Sequence, residues 1–371
     1  MKNSTHITLI AGARPNFMKI GSIIHAIRKK QSDGAKVIYR LVHTGQHYDS
    51  KLSDVFFEDL EIPQPDVNLE VGSGSHAEQT AEIMVRFEKY LQNNPTDWVV
   101  VVGDVNSTLA CSLVAKKLGT KVAHVEGGIR SNDWSMPEEI NRLATDAITD
   151  IFFTTSEFAN ENLKKEGKSN QQIHFVGNTM IDSLIRNLSR INKPDFLSTH
   201  CIDEKEYYLL TLHRPSNVDD SQMLQNTLQN ILNSTEGAKL VFPVHPRTQK
   251  RLSEIDFRWP DRVITTGPLR YLEFLFLIKN SKAVITDSGG IQEETTYLNI
   301  PCLTLRPNTE RPETVSVGTN VLIGDNMELL ESSIKKIQNG GWKEGRIPSY
   351  WDGKAGERII NILIESLIKS R

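Results

Sequence analysis

Short apolar runs rich in β-branched residues alternate, along almost the whole chain, with longer stretches whose apolar positions recur every three or four residues. The first pattern predicts strands and the second predicts amphipathic helices. One series of strands is expected at 7–11, 37–42, 98–102, 122–125, 151–155 and 173–176. A second is expected at 207–212, 240–244, 263–265, 283–286, 302–305 and 320–323. Trp98-Val99-Val100-Val101-Val102 has no polar position, as a strand covered on both faces of a parallel sheet requires. Strand and helix repeated in this way give a doubly wound α/β fold.

The two series are separated by Ile191-Asn192-Lys193-Pro194-Asp195, a polar, proline-containing stretch that marks a hinge between domains 1–190 and 191–371. A chain of 371 residues is long for a single core, which agrees with that division. The fold class predicted is therefore α/β, with two Rossmann-like doubly wound parallel-sheet domains facing a central cleft. Ligands of open α/β sheets bind outside the carboxyl ends of the strands, which would border that cleft. The amphipathic last helix, 355–368, offers a way back onto the first domain.

Composition narrows the function classes. A net charge of −3 gives no electrostatic reason for a nucleic-acid or anionic-membrane partner. No apolar run approaches the roughly 20 residues that span a bilayer. The opening Met1-Lys2-Asn3-Ser4-Thr5-His6 runs into a strand without a secretory apolar region. Cys111, Cys201 and Cys302 lie far apart, each in or near a segment expected to be buried, with neither metal-ligand nor disulfide spacing. A cytosolic chain without metal or cofactor is expected.

The richest chemistry lies in Asp287-Ser288-Gly289-Gly290-Ile291-Gln292-Glu293-Glu294. A strand, a Ser-Gly-Gly turn and a helix start aim several N–H groups and the positive end of a helix dipole at one spot, which suits phosphate. Glu294, one turn on, would reach the vicinal hydroxyls of a ribose. Gly12-Ala13-Arg14-Pro15-Asn16-Phe17-Met18-Lys19 ends the first strand and offers Arg14 and Lys19 to a pyrophosphate. A loop arginine and a solvated helix lysine would read the same way. G-x-G-x-x-G is absent, so nicotinamide cofactors lose support.

Asp104 in Val102-Gly103-Asp104-Val105-Asn106 and Glu126 in His124-Val125-Glu126-Gly127-Gly128 stand at carboxyl ends of strands. Glu138 and Glu139 follow Pro137 at a helix start, where acids also serve simply to offset the dipole. An N-cap role would equally explain Asp104. Together, however, clustered carboxylates raise one another's proton affinity and become general acids and bases. Leu212-His213-Arg214-Pro215-Ser216-Asn217 and Val244-His245-Pro246-Arg247 place further imidazoles and cations at strand ends, and Thr309-Glu310-Arg311-Pro312-Glu313 adds another.

Together these motifs resemble the non-hydrolysing UDP-N-acetylglucosamine 2-epimerases, over nearly the whole chain. The resemblance implies a fold like that of the B-type glycosyltransferases, a homodimer, and interconversion of UDP-N-acetylglucosamine with UDP-N-acetylmannosamine through an enzyme-held 2-acetamidoglucal. It places the family's catalytic roles on Asp104, Glu126, Glu138 and His213. Its nucleotide-binding positions fall on Arg14, Lys19, His245, Phe274, Ser288, Gly289, Gly290, Glu294 and Arg311. The acids would shuttle protons, and His213 and Arg14 would hold the leaving UDP. The pattern departs from the family in Gln46-His47-Tyr48-Asp49-Ser50, a segment linked to activation by a second UDP-N-acetylglucosamine that here lacks the methionine bacterial members often carry, and in Ser216, where many relatives carry Glu. A hydrolysing epimerase, an epimerase of a 2,3-diacetamido uronic acid, a retaining glycosyltransferase and a non-catalytic UDP-sugar sensor share parts of this pattern.

Overall fold

The computed structural model describes residues 4–45 and 57–369, so the 46–50 motif lies outside the described residues. The chain divides into two compact units, one formed by 1–186 with 349–371 and the other by 187–348.

In the first unit seven parallel strands run in the order β3-β2-β1-β4-β5-β6-β7. They are β1 Thr5–Ala11, β2 Val37–His43, β3 Val67–Asn68, β4 Trp98–Val102, β5 Lys121–Val125, β6 Ile151–Thr154 and β7 Ile173–Phe175. Expectation and structure agree on β4 to the residue, because its five side chains are all buried between helical layers. The two-residue edge strand β3 escapes the sequence pattern, being too short to show a period. β1 pairs with β2 on one side and with β4 on the other. The order of the strands reverses there, so crossovers leave in opposite directions and a crevice opens at the carboxyl ends of β1 and β4.

The second unit repeats the plan with six parallel strands in the order β10-β9-β8-β11-β12-β13. These are β8 Tyr207–Thr211, β9 Lys239–Pro243, β10 Val263–Thr266, β11 Ala283–Thr286, β12 Cys302–Thr304 and β13 Asn320–Leu322. The reversal falls between β8 and β11, with Ala283 opposite Tyr208. Alternate residues of these strands, such as Tyr208, Leu210, Ala283, Ile285 and Leu303, join Leu224, Leu228, Leu330 and Ile334 from helices in one buried cluster. At about 1.5–3 kcal/mol for each fully buried large aliphatic side chain, such a cluster is the main force holding the layers together. Cys111 and Cys302 are buried, whereas Cys201 is exposed at a bend, contrary to expectation.

The last helix, Ala355–Lys369, packs on Arg14–Ser32 of the first unit. A Cβ at Gly356 would lie 2.5 Å from the Ser22 carbonyl, so only glycine permits this approach. Asp182 accepts hydrogen bonds from Ala355 N (3.2 Å) and Gly356 N (2.8 Å), capping the start of the helix. Trp351 Nε1 donates to the Thr155 carbonyl and Arg358 to the Val176 carbonyl. These bonds explain why a segment that follows the second sheet in sequence belongs to the first unit.

Candidate functional site

In the first unit the reversal point is built around Asn16 at the start of Arg14–Ser32. Its Oδ1 accepts from Gly12 N and Ala13 N, and its Nδ2 donates to the Val102 carbonyl. The turn after β1 is thereby tied to the tip of β4. Gly103 follows with φ +68°, and a Cβ there would stand 3.1 Å from Lys19 Nζ. Glycine is needed at this position both for its conformation and for the space.

Lys19 is 8% exposed and its Nζ lies 2.7 Å from Glu126 Oε2. The sequence pointed Lys19 at a pyrophosphate; in the structure it holds the carboxylate at the tip of β5. Glu126 is 4% exposed and has φ 71°, a left-handed conformation that a side chain with a Cβ adopts at a cost of about 1–3 kcal/mol. Such strain persists where surrounding contacts over-determine the residue, as Lys19 does here. Arg14 lies at the end of the same turn, and its Nε is buried without a hydrogen-bond partner among the described residues. That donor is available to an incoming anion.

Asp104, half-buried at the tip of β4, pairs with Arg142 Nη2 at 2.5 Å. Arg142 also bonds Glu139 Oε2 at 2.8 Å, three residues back on the helix Pro137–Ile148. Asn141 of that helix donates to the Asp104 carbonyl. Burial disfavours the charged form of Glu139, yet the Ser131 and Asn132 amides and Arg142 outweigh it and hold its carboxyl below the usual range. Glu139 is thus a saturated anchor. Glu138 is half-buried and makes no hydrogen bond or ion pair among the described residues, which leaves its carboxylate available to carry a proton. Arg142 escaped notice in the sequence, although its i+4 spacing from Glu138 puts both on one helix face.

In the second unit Asp287, fully buried at the tip of β11, organises the turn after β8. Its Oδ2 accepts from His213 N (2.9 Å), Arg214 N (2.8 Å) and Asn217 Nδ2 (3.1 Å), while His213 Nδ1 lies 2.8 Å from Oδ1. Burial disfavours the Asp287 anion, but the His213 ring and these amides prevail and hold its carboxyl below the ordinary 3.8. With Nδ1 engaged, His213 presents Nε2 outward from a side chain 40% exposed. Asp287→Ala would strand three donors at about 1–3 kcal/mol each, so urea unfolding of the variant should show a loss of several kcal/mol at pH 7. The Asp287 contribution is complete above the ordinary carboxyl value and disappears as pH falls through the lower folded value. The difference between the two proteins should therefore shrink only in strong acid.

An open pocket of about 190 Å³ brings together His213, His245, Phe274 and Ser288, with Pro268, Leu269 and Ile291 completing its apolar walls. The His213 and His245 rings stand 5.8 Å apart, and His245 also caps the helix Pro246–Glu254. Ser288 begins the helix Gly289–Leu298, which has no acid in its first turn to offset its dipole. The Arg311 guanidinium lies 3.8 Å from where a Gly289 Cβ would be, and its Nε is 2.7 Å from Glu293 Oε1. Gly290 continues the same turn. Glu294 points inward, 3% exposed, and accepts from Tyr271 Oη at 3.3 Å. Burial pushes its carboxyl up to about 8; Tyr271 opposes the rise and neighbouring Glu293 adds to it. Tyr271 carried no signal in the sequence beyond its aromatic ring.

A helix start without counter-charge, flanked by Arg311 and an apolar pocket, with separate carboxylates at a second sheet's reversal point, is the pattern expected of nucleotide-sugar chemistry. The sequence profile of UDP-N-acetylglucosamine 2-epimerase matches residues 29–364. The chain belongs to that epimerase family. The UDP-N-acetylglucosamine 2-epimerase of Methanocaldococcus jannaschii is 43% identical over 369 residues, which is 96% of this chain and 98% of that protein. The crystal structure of the M. jannaschii epimerase in complex with UDP-GlcNAc and UDP matches at TM-score 0.87 and 42% identity, over 97% of this chain and all of that one. A Pseudomonas aeruginosa UDP-2,3-diacetamido-2,3-dideoxy-D-glucuronate 2-epimerase is 37% identical over 96% of this chain and 99% of its own. A UDP-glucosyltransferase from Polygonum tinctorium, 11% identical with TM-score 0.56, shares the fold alone. The epimerase fold is thus the two-domain α/β fold of the B-type glycosyltransferases. Among the described residues, no cluster of three or more His, Cys, Asp or Glu could hold a metal, and no helix is long and apolar enough to cross a membrane.

Proposed function

We propose that the protein interconverts UDP-N-acetylglucosamine and UDP-N-acetylmannosamine without releasing the free sugar. The observation that carries this reading is Glu126, a strained and buried carboxylate held by Lys19 beside the Asp104 turn. The C2 hydrogen of the substrate is not next to a ketone, so plain deprotonation would be very slow. Loss of UDP from C1 solves this. A base takes the C2 proton, the C2–H pair becomes the C1–C2 double bond, and the C1–O pair departs with the diphosphate. In the return step a diphosphate oxygen adds to C1 while a proton reaches C2 on the opposite face. Inversion needs proton carriers on both faces, and Asp104, Glu126 and Glu138 supply them.

Charge on the departing diphosphate is met by the start of Gly289–Leu298, Arg311 and His213, and the family resemblance gives Arg14 the same role. Lys19 acts chiefly by holding Glu126, and His245 and Phe274 shape the pocket for the nucleoside. Glu294 takes the ribose hydroxyls. The family resemblance implies a homodimer, which sedimentation tests, and the cytosolic location expected from composition is tested by cell fractionation.

Incubation with UDP-N-acetylglucosamine in heavy water, followed by NMR, tests the proposal. Intact UDP-N-acetylmannosamine deuterated at C2 is the expected product. Free N-acetylmannosamine would overturn the non-hydrolysing reading, and the absence of exchange would overturn epimerisation of this sugar. The identity to the P. aeruginosa enzyme and the Ser216 departure favour one second reading, a diacetamido uronic acid as substrate. The same experiment with that UDP-sugar separates the two.

A further inference from the structure

We infer that the buried Asp146–His124 pair is a positioning device that locks the two acid-bearing turns of the first unit into one fixed geometry. The inference rests on the proposed proton-transfer role of Asp104 and Glu126. His124, on β5, and Asp146, on Pro137–Ile148, are both fully buried. Neither can touch a substrate. Burying such a pair costs several kcal/mol per charge before the attraction offsets it, and apolar side chains of similar size would serve stability as well. A role other than stability is then to be sought in what the pair holds.

The connections supply it. Asp146 Oδ1 lies 2.6 Å from His124 Nδ1, and Asp146 Oδ2 accepts from Gly128 N at 2.9 Å. His124 Nε2 in turn lies 2.8 Å from the Gly103 carbonyl. Gly128 is two residues past Glu126, and Gly103 immediately precedes Asp104. One carboxylate thus reaches the tip of β5 directly and the tip of β4 through an imidazole. The helix that carries Asp146 also carries Arg142, which grips Asp104, and Glu138.

Both ring nitrogens of His124 face oxygen atoms, Asp146 Oδ1 and the Gly103 carbonyl, so each bond is made in full only when that nitrogen carries a proton. Arg130 Nη2 lies 2.7 Å from Asp146 Oδ2 and pairs with Glu166; Lys19 and Glu126 form a separate pair across Gly103. Burial opposes the Asp146 anion, but His124, Arg130 and the Gly128 amide prevail and keep its carboxyl below the ordinary range.

The amide side chains of Asn and Gln separate the two bonds. His124→Gln places a donor near the Nε2 position and keeps the Gly103 bond; His124→Asn places one near Nδ1 and loses it. We expect H124N to lower kcat by about 10²-fold with KM little changed, the loss typical of catalytic groups displaced by about 1 Å. H124Q should recover most of that rate. Equal rates in both variants, or a fall in unfolding stability with kcat of the folded enzyme intact, would overturn the inference. If the variants do not fold, ¹⁵N NMR of histidine-labelled wild type decides the matter. Two protonated ring nitrogens for His124 at pH 7.5 support the device, and a neutral tautomer overturns it. If wild type shows no C2 exchange at all, the proposed function fails instead, and the NMR outcome still reports on the pair.

Discussion

Glu126→Gln is expected to lower epimerisation by about 10²–10⁴-fold, the usual range for removing a general acid or base, with UDP affinity nearly unchanged. The reason is geometric. Gln keeps the length of Glu126 and an oxygen for Lys19 Nζ, which lies 2.7 Å from the native carboxylate, but it cannot carry a proton. The left-handed backbone at this residue, φ 71°, is unaffected by the exchange, so the fold should persist. In the proposed function UDP is held by the second unit's helix start and pocket and by Arg14, none of which the substitution changes. Deuterium uptake at C2 and calorimetric titration with UDP measure the two effects separately. A loss of exchange smaller than tenfold would remove Glu126 from proton transfer.

The second large effect concerns Glu294. Its carboxyl sits at about 8 because burial outweighs the hydrogen bond from Tyr271, and the Glu293 anion beside it raises it further. At neutral pH the ligand-free protein therefore holds Glu294 mostly as the neutral acid. Ribose hydroxyls donate best to a carboxylate, so UDP capture should release a proton and tighten as pH rises from 7 toward 8. Calorimetry in buffers of different ionisation enthalpy reads that proton. In Glu294→Gln the proton release should vanish and the affinity should be weaker and flat with pH. Release that persists in the variant would assign it to another group.

Stability moves the opposite way. A folded value of about 8 against an ordinary 4.5 means that the folded chain binds a proton the unfolded chain has lost. The Glu294 contribution is complete below the ordinary value, erodes as pH rises, and is fully lost above the folded one. Glu294→Gln should therefore be more stable than wild type by up to about 4 kcal/mol at pH 8, and by little at pH 4.5. Urea unfolding at the two pH values checks the sign.

Much of this was legible in the residues. Apolar runs without polar breaks, such as Val99 to Val102 or Ala283 to Ile285, reported burial on both faces, and strand–helix alternation then left few topologies. The helix start at Ser288-Gly289-Gly290 was legible because backbone geometry after a strand is local, and the structure sets Arg311 beside it. Partners were not legible. Lys19 read as a phosphate ligand, and its contact with Glu126, 107 positions away, had no signal in the sequence. Glu138 and Glu139 were equivalent in the sequence; burial and Arg142 made Glu139 an anchor and left its neighbour available. Asp287 drew attention only as the start of a motif, whereas its contacts show that it builds the His213 turn.

The sequence alone thus determined the class of each domain, the strand tips where charged and polar groups gather and the kinds of group present there. These follow from periodicity and turn chemistry, which depend on neighbours a few residues away. Which carboxylates are saturated, which are strained and which hold a proton at neutral pH was decided only by the tertiary structure. Those properties arise from desolvation and from charges brought within about 3 Å by parallel strands distant in sequence, and no local pattern encodes that meeting.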